Sequence, residues 1–146
     1  TTTKLAKETA KRYELDEPTI FGVTLLSSFG QKTLTTELSV NTNLVEYTEH
    51  LTQVALDSGL DGIVASAEET LKLKEKFGDD LLVMCQAIRP TWSMVNDQIR
   101  VVTPSFAIKQ GVDFMIVGRP VTDATNPKVA INMILDEIND AQVSML

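Results

Sequence analysis

The sequence predicts an α/β fold built on a parallel sheet with helical crossovers. Three observations carry that prediction. Runs of strand length alternate with runs of helix length, the strand runs are apolar throughout rather than every second residue, and the connections between them are mostly short.

The elements follow in order. Residues 4–13 are charged, contain alanine and lack Gly and Pro, which suits a helix, and Pro18 marks the turn out of it. Residues 19–26, Thr-Ile-Phe-Gly-Val-Thr-Leu-Leu, read as a strand covered on both faces. Asn43 caps a helix whose apolar positions Leu44, Tyr47, Leu51 and Ala55 fall at helical spacing and which ends at Gly59. A short strand over 62–66 follows, then a helix over 68–77 stopped by Gly78-Asp79-Asp80, then a strand over 81–88. Residues 89–102 hold Pro90, Trp92, Ser93, Asn96 and Asp97 without a sustained period and read as a long loop. Pro104 opens a helix over 105–110 closed by Gly111, and residues 112–118 form the fourth strand. Pro127 opens a final helix with Ile131, Ile134, Leu135 and Ile138 on one face.

Crossovers of this kind are right-handed, so consecutive strands lie side by side. Four such units leave two open edges, as a small open sheet or as half of an eight-stranded barrel. A complete barrel takes about 250 residues, and this chain has 146.

Composition narrows the function. With 43% hydrophobic and 23% charged residues, residues 1–146 read as a single globular domain. No run approaches the ~20 apolar residues of a membrane span, and no apolar signal core follows Thr1-Thr2-Thr3-Lys4, so the expected address is cytoplasmic. One cysteine and one histidine exclude a disulfide framework, a Cys-based zinc site and a His-rich metal site. A net charge of −7 repels nucleic acid and anionic membrane alike, so neither is expected as a partner. An anionic ligand needs a local concentration of donors, hence a pocket.

In either arrangement of the sheet, ligands bind at the carboxyl ends of the strands. Those ends read Leu26-Ser27-Ser28, Ala65-Ser66, Ile88-Arg89-Pro90 and Gly118-Arg119-Pro120. An arginine is a planar fork of donors suited to phosphate, and a glycine lets a backbone N–H come close to an anion. The other reading of Arg89 and Arg119 is solvation or pairing with Asp or Glu. Gln98, in the long loop between them, offers a neutral donor or is an exposed loop residue. Ser27 and Ser28 read as hydrogen-bonding groups or merely as strand-end residues, and neither as a nucleophile, because no G-x-S-x-G elbow or base accompanies them. His50 lies inside a helix, away from any strand end, and Cys85 reads as a small buried hydrophobe. Trp92 is a loop anchor or a lid contact, and Asp61-Gly62 and Gly78-Asp79-Asp80 are turn chemistry first.

Five ordered blocks also carry a family likeness: Gly22-Val-Thr-Leu-Leu-Ser-Ser28, Gly59-Leu-Asp-Gly-Ile-Val-Ala-Ser66, Ile88-Arg-Pro90, Asp97-Gln98 with Arg100 and Thr103-Pro104, and Val117-Gly-Arg-Pro-Val121. In this order and spacing the chain, from about Leu5 to Ile138, resembles the C-terminal half of the bacterial-type orotidine 5′-monophosphate decarboxylases. The resemblance implies a (β/α)8 TIM barrel, with this chain supplying strands five to eight as a half-barrel plus a preceding helix. It implies a lyase of pyrimidine biosynthesis that turns orotidine 5′-monophosphate into UMP and CO2 without metal or organic cofactor, working as a homodimer. By the same resemblance Ser27 hydrogen-bonds the pyrimidine, Arg89 and Gln98 stand in the binding site, and Gly118 with Arg119 grips the phosphate. The loop over 90–98 is expected to close over that phosphate.

Two departures stand out. The family usually has Pro-Gly before Ile-Arg, where this chain has Gln86-Ala87, so altered local geometry and base contacts are expected there. The family's catalytic Asp/Lys/Asp cluster, with its D-x-K-x-x-D pattern, belongs to the first half of the barrel and occurs nowhere in these 146 residues. The chain alone is therefore expected to be inactive without an N-terminal half-barrel, and the missing initiator Met favours a truncated chain. The alternatives are a non-catalytic phosphate-binding half-barrel that self-associates across its open edges, and another phosphate-binding barrel of the hexulose-phosphate synthase kind.

Overall fold

The most continuously apolar stretches become the sheet. The computed structural model describes residues 2–93 and 102–145. Its elements are α1 (Thr2–Arg12), β1 (Phe21–Val23), a π-helical turn (Thr33–Glu37), α2 (Leu44–Asp57), β2 (Gly62–Ala65), α3 (Ala67–Phe77), β3 (Leu82–Cys85), α4 (Pro104–Lys109), β4 (Phe114–Met115), α5 (Arg119–Thr122) and α6 (Pro127–Val143). The four strands are parallel in the order β1-β2-β3-β4, with Phe21 opposite Gly62, Gly62 opposite Leu82 and Met84 opposite Phe114. This is the half-barrel expected from the alternation of elements.

Three helix starts have a side-chain cause. The side chains of Asn43, Thr103 and Asn126 accept the N–H groups of Glu46, Phe106 and Val129, at 2.9, 3.2 and 3.3 Å, and so begin α2, α4 and α6. Pro104 and Pro127 occupy the first turn of α4 and α6, where no N–H is missed. The π-helical turn and α5 carried no clear signal in the sequence.

One side of the sheet packs on helices. Ile63, Ala65 and Val83 meet Ala55 of α2 and Leu73 of α3, while Cys85, Ile88, Val102, Ala107 and Val112 form a second cluster towards α4. The other side is different. Val23 is 63% exposed and Phe114 and Ile116 are each 46% exposed. The expectation that the first strand is covered on both faces therefore fails for β1; β2 is the strand all of whose residues are buried, and β4, like β1, is partly exposed. These are the edge strands, and their inner face looks into the concave side of the half-barrel.

Two helices bury residues other than their most apolar ones. In α2 the buried residues are Thr48, Thr52 and Ala55, not Leu44, Tyr47 and Leu51. Thr48 and Thr52 lie at the helix–sheet contact because each hydroxyl donates to the carbonyl one turn back, Leu44 and Thr48 respectively, both at 2.8 Å. In α6 the buried residues are Ala130, Ile134 and Ala141. Ile131 and Leu135 are exposed, and with Ile138, Met115, Val117 and Val121 they border an apolar hollow of about 330 Å³. No described helix is long and apolar enough to cross a membrane.

At the amino ends of the strands one device appears twice. Asp61, just before β2, donates its N–H to the Ile20 carbonyl (2.9 Å) and accepts the Ile20 N–H on Oδ2 (2.8 Å), while Oδ1 holds the Lys7 ammonium of α1 at 2.5 Å. Asp113, just before β4, makes the same pair with Val83, at 3.0 and 2.7 Å, while Lys74 of α3 donates to Oδ1 at 2.9 Å. In each case a carboxylate extends the ladder by one rung where the backbone has none left to offer.

Candidate functional site

Because the strands are parallel, their carboxyl ends share one rim, opposite the aspartate clasps. On β1 the last link to the sheet is Thr24, whose N–H and hydroxyl both reach the Val64 carbonyl, at 3.1 and 2.8 Å. The chain then turns, with the Phe29 N–H on the Leu26 carbonyl at 2.9 Å. Gln31 holds the following loop closed: its Nε2 donates to the Thr42 carbonyl (2.8 Å) and its Oε1 accepts from the Leu44 N–H (3.0 Å). Ser27 is thus carried on a segment fixed at both ends.

Ser27 lines a small hollow together with Leu25, Ser66 and Gln86, one wall from each of three neighbouring strand ends. Ser66 occupies the N-cap position of α3, yet its side chain makes no capping bond; only its carbonyl works for the helix, accepting from the Glu69 N–H (3.1 Å) and the Thr70 hydroxyl (3.2 Å). Gln86 follows β3, and its carbonyl accepts from the buried Cys85 thiol at 3.3 Å. Among the expected residues that are described, only Ser27 lines this hollow.

The residue after Gln86 turns the chain. Ala87 has φ +60°, in the left-handed region that glycine enters freely and alanine does not. Simple alternation along β3 would send Ile88 to the same side as Met84 and Gln86, but Ile88 is fully buried in the helix-side cluster with Cys85. The left-handed residue resets the phase. At Gln86-Ala87 an alanine is thus held in the backbone conformation that the glycine of the family pattern would adopt without strain.

The other expected residues stand along the rim, outside the hollow. Arg89 is 7% exposed; its N–H donates to the Val102 carbonyl (2.9 Å), beside a parallel bridge between Ile88 and Val102, and its Nη1 donates to the Ile88 carbonyl at 3.1 Å. Gly118 is exposed, and its carbonyl accepts the N–H groups of Val121 and Thr122, at 2.8 and 3.0 Å, which starts α5. Arg119, half-buried, is the first residue of that helix. Gln98, and most of the loop over 90–98, lie outside the described residues. Trp92 borders a groove between α4 and α6. His50 is exposed on α2, its ring 6.3 Å from that of Tyr47. Among the described residues no three of His, Cys, Asp and Glu are grouped so as to hold a metal.

Ser66 and Gln86 are the residues that strand-end reasoning left without a role. Both sit at strand ends in the sequence, and a period-two count along each strand would have turned them inwards with Leu25.

Comparison with known proteins places this geometry. Residues 1–134 match the family model described as orotidine 5′-phosphate decarboxylase / HUMPS family. The chain is 37% identical over 133 residues to the orotidine 5′-phosphate decarboxylase of Legionella pneumophila strain Corby, an alignment covering 91% of this chain and 58% of that protein. It is 37% identical over 121 residues to that of Gloeothece citriformis, covering 83% and 52%. Among solved structures, the orotidine 5′-phosphate decarboxylase of Lactobacillus acidophilus superposes with a TM-score of 0.74 at 32% identity, over 94% of this chain and 58% of that one. An uncharacterized conserved protein from Geobacillus kaustophilus superposes with a TM-score of 0.67 at 31% identity, over 85% and 50%. The chain thus spans between half and three-fifths of the length of these relatives.

Proposed function

The chain belongs to the orotidine 5′-phosphate decarboxylase / HUMPS family, and from that premise we propose that residues 1–146 act as one domain, the ligand-binding C-terminal half of a barrel that decarboxylates orotidine 5′-monophosphate to UMP. The observation that carries the reading is that Ser27, Arg89 and the pair Gly118–Arg119 all stand at the carboxyl ends of parallel strands, the rim where such sheets bind ligands. Ser27 hydrogen-bonds the pyrimidine. The Arg119 fork and the Gly118 backbone hold the phosphate, with Arg89 and Gln98 as further donors. A chain of net charge −7 attracts no anion at long range, so these local donors set the affinity. Binding energy from the phosphate, which does not react, goes into organising the site around the base.

The chemistry itself belongs to a partner. An N-terminal half-barrel brings the Asp/Lys/Asp cluster and covers the exposed inner residues Val23, Phe114 and Ile116 and the two open strand edges. The complete barrel then works as a cytoplasmic homodimer. The test is calorimetric titration of UMP into the barrel completed with an N-terminal half. Replacing Arg119 by Ala is expected to weaken binding by about 2–5 kcal/mol, the cost of truncating one partner of a buried charge pair; an unchanged affinity removes Arg119 from the site. Release of CO2 from orotidine 5′-monophosphate only when both halves are present supports the division of roles.

A further inference from the structure

We propose that Gln86, with Ser66 beside it, determines base specificity by hydrogen-bonding the polar edge of the pyrimidine that Ser27 also contacts; this rests on the proposed function above and adds two residues to it. Four observations lead there. Ser27, Ser66 and Gln86 line one hollow from the ends of three adjacent strands, with Leu25 as its apolar wall. Period-two alternation from Leu82 and Met84 turns Gln86 towards the concave side, and the left-handed Ala87 directly after it sends the following Ile88 back to the helix side. Gln86 is therefore the last inward residue of its strand. The Ser66 side chain is not engaged as a helix cap, although it sits at the capping position of α3.

The hollow has no room for a water molecule, so the base lies across it rather than inside it, and the chemistry along its lining fits a flat heterocycle. An apolar wall beside converging amide and hydroxyl groups suits a ring whose face is apolar and whose edge alternates acceptor and donor. The Gln86 carboxamide offers both functions in one plane, so it pairs with an imide edge, accepting from the ring N–H and donating to the neighbouring carbonyl. The family pattern has proline at this position, which offers no side-chain hydrogen bond at all. Gln86 therefore gives this chain a contact to the base that the pattern lacks.

Calorimetric titration of the completed barrel with UMP and, separately, with ribose 5-phosphate tests the assignment. Gln86→Ala is expected to weaken UMP binding about fivefold to tenfold, the worth of a neutral hydrogen bond, and to leave ribose 5-phosphate binding within about twofold. Gln86→Glu keeps the shape, loses the amide donors and is expected to lose at least as much. A melting curve for each variant shows that the fold is intact. Equal losses for both ligands would make Gln86 a structural residue and overturn the assignment, as would UMP affinity that neither variant changes. Wild-type protein that binds ribose 5-phosphate but not UMP also overturns it. Wild-type protein that binds neither ligand overturns the proposed function and this assignment with it.

Discussion

The rings of Phe21 and Phe114 meet edge to face, centroids 5.5 Å apart and planes at 79°, although the two residues stand on opposite edge strands of the sheet. In a flat sheet three strand spacings would separate them by about 14 Å. The pair therefore measures how far four strands have already curled, and it closes the floor of the concave side without help from another chain. Edge-to-face aromatic pairs carry a coupling of about 0.5–1.5 kcal/mol beyond the area they bury. Urea unfolding of Phe21→Ala, Phe114→Ala and the double variant is expected to give a coupling in that range; strictly additive losses would mean that the curl relaxes in solution.

Gly62 is the position that permits this curl. A Cβ there would lie 2.3 Å from the Leu82 carbonyl oxygen, 2.7 Å from the Phe21 ring and 2.8 Å from the Leu82 Cβ. The nearest of these is backbone and has nowhere to go, so Gly62→Ala is expected to destabilise by about 2–3 kcal/mol, as overpacking does in a filled core. Denaturant midpoints read this directly. Gly30→Ala, where a Cβ meets nothing within 4 Å, is the control and is expected to move the midpoint little.

Ala87 gives the opposite sign. Its left-handed backbone costs an alanine about 1–2 kcal/mol, and glycine at the same place loses about 0.5–1 kcal/mol through greater freedom in the unfolded chain. Ala87→Gly is therefore expected to stabilise by about 0.5–1 kcal/mol, seen as a rise in Tm. A fall in Tm would mean that the Ala87 methyl, buried at 9% exposure, contributes more packing than the turn costs.

The Lys7–Asp61 clasp sets a pH dependence. Burial pushes the Asp61 carboxyl up, but the Lys7 ammonium and the Ile20 N–H outweigh it and hold the group below its ordinary value. Lys7 is raised, chiefly by its hydrogen bond to Asp61. A depressed carboxyl contributes stability that is complete above its unfolded pKa and is lost as the pH falls through the folded one. The raised ammonium contributes below its unfolded pKa and loses that contribution as the pH rises through its folded value. The stability difference between wild type and Asp61→Asn is therefore expected to be flat across neutral pH, to shrink below about pH 4 and to shrink again above about pH 10.5. Equilibrium unfolding at a series of pH values checks it, and a difference that stays constant into acid would separate Asp61 from the linkage.

How much of this the sequence disclosed depends on what each feature consists of. Element type and order follow from apolar runs and their breakers, which is why the helix cap at Asn43, the helix starts at Pro104 and Pro127 and the parallel order of the strands agree with expectation. That Thr48 and Thr52 are also buried on α2 has no apolar signal in the sequence, because it depends on their hydroxyls bonding within the helix. On α6 the expected residues Ile131, Ile134, Leu135 and Ile138 do share one face, but Ile131 and Leu135 are exposed because that face borders an open hollow. At the rim, Arg89, Gly118 and Arg119 were found by counting strand ends. The grouping of Ser27 with Ser66 and Gln86 was not, since it depends on the alignment of three strands whose residues lie up to 59 positions apart. The left-handed turn at Ala87 has no signal in its residue type; only the contrast with a glycine-bearing pattern pointed to that place.

The two aspartate clasps divide the half-barrel into doublets. Asp61 fastens the first two strands to α1, and Asp113 fastens the last two to α3, with the same atoms in the same relation. Neither clasp borrows a group from the other doublet. Exchange of a whole doublet between relatives, by recombination or by design, thus transfers its fastening intact, while the seam between β2 and β3, the Phe21–Phe114 ring pair and the packing of Leu73 on Ala55 and Ile63 have to be matched anew.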